Sequence, residues 1–300
     1  MSESVKSLDL NVNAAISGRD ITSTRLVSSV DIEQTTGRYL LVQPYNADGS
    51  YGGRILIYPQ STQLGLESII ILEQFNYYGV LYYPYDARFD YIRNKLWIAD
   101  TGNHRVLKVD LATYQVDMSI EDLYYPHALA INMNDGSVFV KGFSNMALAN
   151  GTVYLFKRDG TQLAKFEFGH EDLQASSSSS SSSSQSSSSS SSSINPFDTS
   201  SSSSSEIVIP TMPSPYSITC DSTRSRGWWV YGTRVYMADT RNGQVQTYNL
   251  INHSYYGTES IDIELVTGNA FVVAKDISNN RFLVQMFRDN NVLLASGYIT

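Results

Sequence analysis

The chain carries one cysteine, Cys220, in 300 residues. That rules out an internal disulfide and fits a reducing compartment. Charged residues make up only 17%, and the 29 acids outweigh the 21 bases for a net charge of -8. An acidic chain gains nothing from counterion release on a phosphate backbone, so nucleic acid is not an expected partner. No apolar run approaches the roughly 20 residues of a membrane span, so no membrane is expected either. The leading stretch, residues 1–20, lacks the continuous apolar segment of a cleavable signal. Amphipathic helical periodicity of useful length is missing throughout. These absences point to a helix-poor chain in the cytoplasm or, given the homopolymer runs described below, in a viral particle.

What the sequence does have is a dense series of short apolar strands. The hydrophobic fraction is 42%, enough for a core. The clearest element runs from Tyr83 to Leu111. A proline, Pro84, opens it; Ala87 to Asp90 follow; a polar turn leads into Leu96-Trp97-Ile98-Ala99; and Asp100-Thr101-Gly102-Asn103 reverses the chain into Arg105 to Val109. Runs of this length bounded by Asp, Asn and Gly predict antiparallel strands joined by tight turns.

The same rhythm returns along the chain. A first unit spans Ile21–Ile32, Tyr39–Val42, Arg54–Tyr58 and Ser68–Leu72. The element above, closed by Tyr114–Ile120, is the second. A third begins at Pro126, a fourth at Pro215 and a fifth at Ile261. Pro84, Pro126 and Pro215 are each followed six residues later by Asp90, Asn132 or Asp221. Leu96–Leu111 overlays Val235–Leu250 without a gap, sharing Ala99/Ala238, Asp100/Asp239, Thr101/Thr240, Asn103/Asn242 and Val106/Val245. In this overlay the Trp228-Trp229 pair is an insertion between the first two strands of the fourth unit. A repeat of about 40–45 residues with four strands is the signature of a β-propeller blade. The predicted fold is therefore all-β: a propeller of four-stranded antiparallel blades, five of them visible, with room for a sixth. Residues 1–24 stand apart as a leading segment able to contribute one strand over Val5–Val12, and residues 25–299 make the ring. A serine-rich insertion over 172–205, with pure runs at 176–184, 186–193 and 200–205, interrupts it. Such a segment cannot bury enough apolar area to offset its ordering entropy and is expected to be disordered.

The run Leu96-Trp97-Ile98-Ala99-Asp100-Thr101-Gly102-Asn103-His104-Arg105-Val106 resembles the NHL repeat. The fourth unit follows that pattern more loosely, with Arg241 at the glycine position and Gly243 at the histidine position. The resemblance extends over residues 25–299 apart from the serine tract. It implies a ring of six blades as a rule and a non-catalytic scaffold that docks proteins or joins a larger assembly.

Propeller topology assigns faces. With each innermost strand starting at an upper face, that face carries Tyr77, Tyr78, Tyr82, Tyr83, Tyr85, Tyr124, Tyr125, His127 and Tyr216, with the Asp100–Arg105 and Asp239–Gly243 turns. Tyrosine offers contact area and a hydroxyl at small entropic cost, so these nine residues are the candidate binding site. The remaining marked residues read as structural. Asp100 and Asp239 are expected to bond their own turn backbones. Trp97 and Tyr236 are expected in blade cores, Cys220 as a small buried hydrophobe, and His104 in a turn or packing role. The alternative is an enzyme. Related rings, by the same resemblance, include calcium-dependent hydrolases and lyases holding an ion near the axis. The inner-strand acids available for that here are Asp31, Asp86, Glu259 and Asp262, with His127 nearby, and oxygen ligands of this kind suit calcium. No pair of them has a motif-level spacing, and no nucleophile, zinc or phosphate-loop signature occurs.

Overall fold

In a computed structural model the described residues are 27–45, 51–59, 69–143, 151–168, 217–231, 234–249, 258–264, 266–276, 281–288 and 293–299. The leading segment 1–24, the serine-rich insertion and Tyr216 lie outside them.

Five four-stranded antiparallel sheets follow one another along the described chain, each in simple up-and-down order. The first holds β1 (Ser29–Ile32), β2 (Tyr39–Tyr45), β3 (Tyr51–Tyr58) and β4 (Ile70–Leu72). A small hairpin, β5 (Gln74–Phe75) and β6 (Gly79–Val80), leads to the second sheet. That sheet is β7 (Pro84–Asp90), β8 (Lys95–Asp100), β9 (Arg105–Asp110) and β10 (Val116–Ile120). The third is β11 (Tyr124–Ile131), β12 (Val138–Phe143), β13 (Gly151–Phe156) and β14 (Gln162–Phe168). The fourth is β15 (Ile218–Asp221), β16 (Arg226–Tyr231), β17 (Arg234–Asp239) and β18 (Val245–Asn249). The fifth is β19 (Thr258–Ile263), β20 (Ala270–Asp276), β21 (Arg281–Phe287) and β22 (Leu293–Ile299). A single 3-10 turn, Thr101–Asn103, is the one helical element among the described residues.

The strands are apolar in unbroken runs because each central sheet is covered on both faces. Side chains alternate across a strand, so neighbours feed different cores. Leu96 and Ile98 of β8 join Leu40, Val42 and Ile55 between the first and second sheets. Trp97 and Ala99, the residues between and after them, join Leu129, Val138 and Val140 between the second and third. Phe139, Val153, Trp229 and Tyr236 fill the third boundary. Trp228, Val230, Ile261, Val272 and Leu283 fill the fourth. Each large side chain fully buried in these layers contributes on the order of 1.5–3 kcal/mol. Five sheets packed face to face in chain order form a β-propeller. Trp97 and Tyr236 lie in its cores as expected; Cys220 is half-buried against the third boundary.

Two expectations need correction. Trp228 and Trp229 are not an insertion but the middle of β16, the second strand of their blade, paired with Met237 and Tyr236. Val235–Asp239 is consequently a third strand, whereas Leu96–Asp100 is a second. The overlay of the two runs is offset by one strand. Asp100 pairs with Pro84, at the start of its innermost strand. Asp239 pairs with Arg226, which pairs in turn with Asp221 at the end of its own. The Asp239–Gly243 turn therefore lies at the lower end of the ring, not at the upper face.

At that lower end the blades are tied by a repeated device. The Arg93 guanidinium donates to Asp90 Oδ1 at 3.1 Å and to the Met133 and Asn134 carbonyls of the next blade, at 3.1 and 2.7 Å. Arg224 repeats it two boundaries on, between the fourth and fifth blades, donating to Asp221 and to the Val266 carbonyl, both at 3.0 Å. Charge-assisted bonds of this kind are among the stronger ones.

Candidate functional site

The upper end of the first three blades gathers an aromatic belt. Tyr83 N–H donates to the Gly52 carbonyl of the first blade at 2.7 Å. Gly53, at φ +138, permits that approach: a Cβ there would stand 2.5 Å from Pro84 Cδ. Tyr83 thereby meets Tyr45 edge to face, ring centroids 5.2 Å apart, and Tyr85 at 5.9 Å. Tyr82 lies over the Thr101–Asn103 turn, where a Cβ on Gly102 would stand 2.2 Å from its ring. His104, which ends that turn, stacks on Tyr124 at 5.2 Å and meets Tyr125 edge to face at 4.6 Å. Tyr45, Tyr82, Tyr83, Tyr85, His104 and Tyr124 are half-buried, and Tyr77 is fully exposed at the tip of the β5–β6 hairpin.

The backbone holds this belt under strain. Tyr77, Tyr83, His104 and Tyr125 have φ of 68°, 54°, 56° and 44°. Tyr83 and Tyr125 each precede a proline, which ordinarily pushes a residue to extended conformations. Non-glycine residues in the left-handed region cost about 1–3 kcal/mol each and cluster at ligand clamps and active sites.

Asp100 anchors the turn beneath the belt, by a route other than the one expected. Its carboxylate does not bond the turn's own backbone. It accepts Tyr82 N–H from the preceding link at 2.8 Å, Asn103 Nδ2 at 2.8 Å and Arg105 Nε at 2.8 Å, and it is fully buried. Burial raises its pKa, opposed by these donors. His104 keeps a packing role. Its Nδ1 accepts Tyr125 N–H at 3.3 Å, and burial lowers its pKa, so the ring is neutral with its proton on Nε2. The belt is thus built from tyrosines and one neutral histidine.

Not every expected residue reaches the surface. Tyr125 and His127 are buried, at 6% and 3% exposure. His127 Nδ1 lies 3.0 Å from the Tyr125 carbonyl; burial, then the Lys141 charge, push its pKa down to about 3. Tyr78 is half-buried, as the belt tyrosines are, and packs against the first core. Tyr45 and His104 belong to the belt and were absent from the expected set. Tyr45 ends a second strand, and the rule that second-to-third links lie at the upper face would have found it.

Among the described residues the axial acids are engaged by the ring's own donors. Asp86 Oδ2 accepts Leu129 N–H at 2.7 Å and Oδ1 accepts Ser29 Oγ–H at 2.5 Å. Asp31 Oδ2 accepts Phe89 N–H at 2.8 Å. Arg88 stands by both, 3.1 Å from Asp86 and 3.9 Å from Asp31. Asp262 Oδ1 accepts Ile263 N–H at 2.8 Å; Glu259 lies on β19, and its side chain is outside the described residues. Oxygens occupied by amides and a guanidinium are a poor set for calcium. No group of three or more His, Cys, Asp or Glu side chains among the described residues could hold a metal.

No protein-family model matches the chain, and no curated protein does. Solved structures do. The chain covers 91% of its own length and 80% of a chain in a crystal structure of a nidogen/laminin complex, with TM-score 0.54 at 11% identity. It also matches Hsv2 of Kluyvelomyces marxianus with TM-score 0.53 at 8% identity, covering 91% of this chain and 65% of that one. A form of KlHsv2 with its loop 6CD replaced by a Gly-Ser linker gives 0.52 at 9%, over 91% and 66%. At such identities the likeness concerns the fold alone.

Proposed function

We propose that this chain is a non-catalytic propeller scaffold of the NHL type, which docks a protein partner or joins an assembly through the tyrosine-rich upper end of its first three blades. The observation that carries the reading is the belt itself. Tyr45, Tyr82, Tyr83, Tyr85 and Tyr124 are half-exposed at one end, linked ring to ring and through His104 and Gly102. Rigid aromatics at a surface supply the anchors that dominate docking energy. The belt residues are uncharged, which suits an amphipathic protein surface. A like-folded chain occurs in a crystal structure that is by name a protein complex, nidogen/laminin, which supports a docking role in general.

The test is a quantitative affinity purification from the source cells, comparing the wild type with Tyr45→Ser/Tyr83→Ser. Ile92→Ser, an exposed apolar residue at the lower end, is the control. Proteins retained by the wild type and the control should be lost from the double variant while its thermal unfolding is unchanged. Equal retention by all three overturns the reading.

A further inference from the structure

Tyr45 and Tyr83 bring two phenol hydroxyls together across a blade boundary. Tyr45 ends β2 of the first blade, and Tyr83 immediately precedes β7, the innermost strand of the second. Their oxygens lie 3.5 Å apart, with ring centroids at 5.2 Å and ring planes at 76°. The two residues stand 38 positions apart in sequence, so only the fold makes them neighbours. Both are held from the backbone. The Tyr83 N–H bond to the Gly52 carbonyl, at 2.7 Å, ties its main chain to the first blade, and its φ of 54° directs the side chain. Tyr45 pairs with Tyr51 across the β2–β3 hairpin. Both rings are half-buried, which leaves them open to a small oxidant but hinders collision with the ring of another molecule. Tyr77, fully exposed at its hairpin tip, has the opposite setting.

We propose that Tyr45 and Tyr83 form an oxidative cross-linking site, which a peroxide-driven one-electron oxidant converts to a dityrosine bond between the first and second blades. Each phenol gives up one electron and one proton. The two phenoxyl radicals join through one ring carbon beside each hydroxyl, and the hydrogens on those two carbons move to the oxygens. Two electrons and two protons leave in total, and one hydrogen peroxide takes them up as two waters. The hydroxyl contact selects this pair. A phenoxyl radical carries its unpaired density on the oxygen and on the carbons beside and opposite it, and the contact brings the hydroxyl ends of both rings together. Holding two reactants in place turns a bimolecular encounter into an intramolecular step. The bond needs nothing from a docking partner, so the proposal stands whether or not the belt docks a protein.

The test treats the full chain, folded and dilute, with hydrogen peroxide and a small haem peptide. The expected product runs as a monomer on a denaturing gel, is lighter by two hydrogens and shows dityrosine fluorescence. Its digest joins the peptide holding Tyr45 to the peptide holding Tyr83. Tyr45→Phe and Tyr83→Phe should each abolish that joined peptide, while Tyr91→Phe, at the lower end, leaves its yield unchanged. A folded wild-type chain that yields no such peptide overturns the proposal. So does a yield no higher in the folded chain than in urea, which would mean that the fold does not select the pair. A cross-link mapped only to other tyrosines, or only between chains, overturns it as well. Should either variant fail to fold, the mapping on the wild type decides.

Discussion

Asp86 accepts the Leu129 main-chain N–H across the boundary between the second and third blades, at 2.7 Å, while 3% exposed. Its other oxygen accepts the Ser29 hydroxyl of the first blade. One carboxylate thus binds three inner strands together at the axis. Asp31 makes the matching bond to Phe89 N–H one boundary earlier.

Asp86→Ala leaves a buried amide without its acceptor, a loss of roughly 1–3 kcal/mol. It also removes the carboxylate beside Arg88. The urea midpoint should fall accordingly with an unchanged slope. Asp86→Asn, which keeps an acceptor oxygen, should recover part of the loss. No change in midpoint for the alanine variant would show that the axial bonds add nothing to ring stability.

Asp100 is a different case, because its deletion strands a charge. Arg105, 9% exposed, would lose the carboxylate that accepts its Nε. Removing one partner of a buried pair costs about 3–5 kcal/mol. Asp100→Ala should therefore destabilise more than Asp86→Ala, and Asp100→Ala/Arg105→Met should recover much of the loss. A double variant no better than the single one would assign the cost to the Tyr82 and Asn103 bonds instead.

Lys141 gives a pH signature. It is 4% exposed on β12, and burial pushes its ammonium pKa down to about 7, against 10.5 for the free side chain. Between these values the unfolded chain holds a proton that the folded chain has released, so stability rises with pH from about 7 to 10. Below pH 7 both states are protonated and this slope ends. His127 acts in the same direction lower down: its folded pKa of about 3 makes stability fall as pH drops from about 6.5 towards 3. Urea midpoints at pH 7 and pH 9.5 should differ less in Lys141→Met than in the wild type. Equal differences would mean that Lys141 does not titrate in this window.

The sequence by itself determined the architecture. Strand length, turn residues and the blade-length repeat are local properties, so the four strands of the second and third blades were legible from Pro84 and Pro126 onward. The lower-end staple was also written locally, as Asp90-x-x-Arg93 and Asp221-x-x-Arg224, and was there to be found. The offset of the fourth blade was not. Ala-Asp-Thr recurs at Asp100 and Asp239, but a turn motif does not state which pair of strands it joins; pairing with Pro84 or with Arg226 decides that. Trp228-Trp229 looked like an insertion because both faces of β16 are buried, which erases the alternation that marks a strand. The tyrosines were countable, but their fates were not. Tyr77 and Tyr125 have the same side chain and both have positive φ, yet one is fully exposed and the other buried under His104. Exposure depends on what neighbouring blades bring alongside, and those neighbours come from distant parts of the chain. Only the packed ring settles which rings face water.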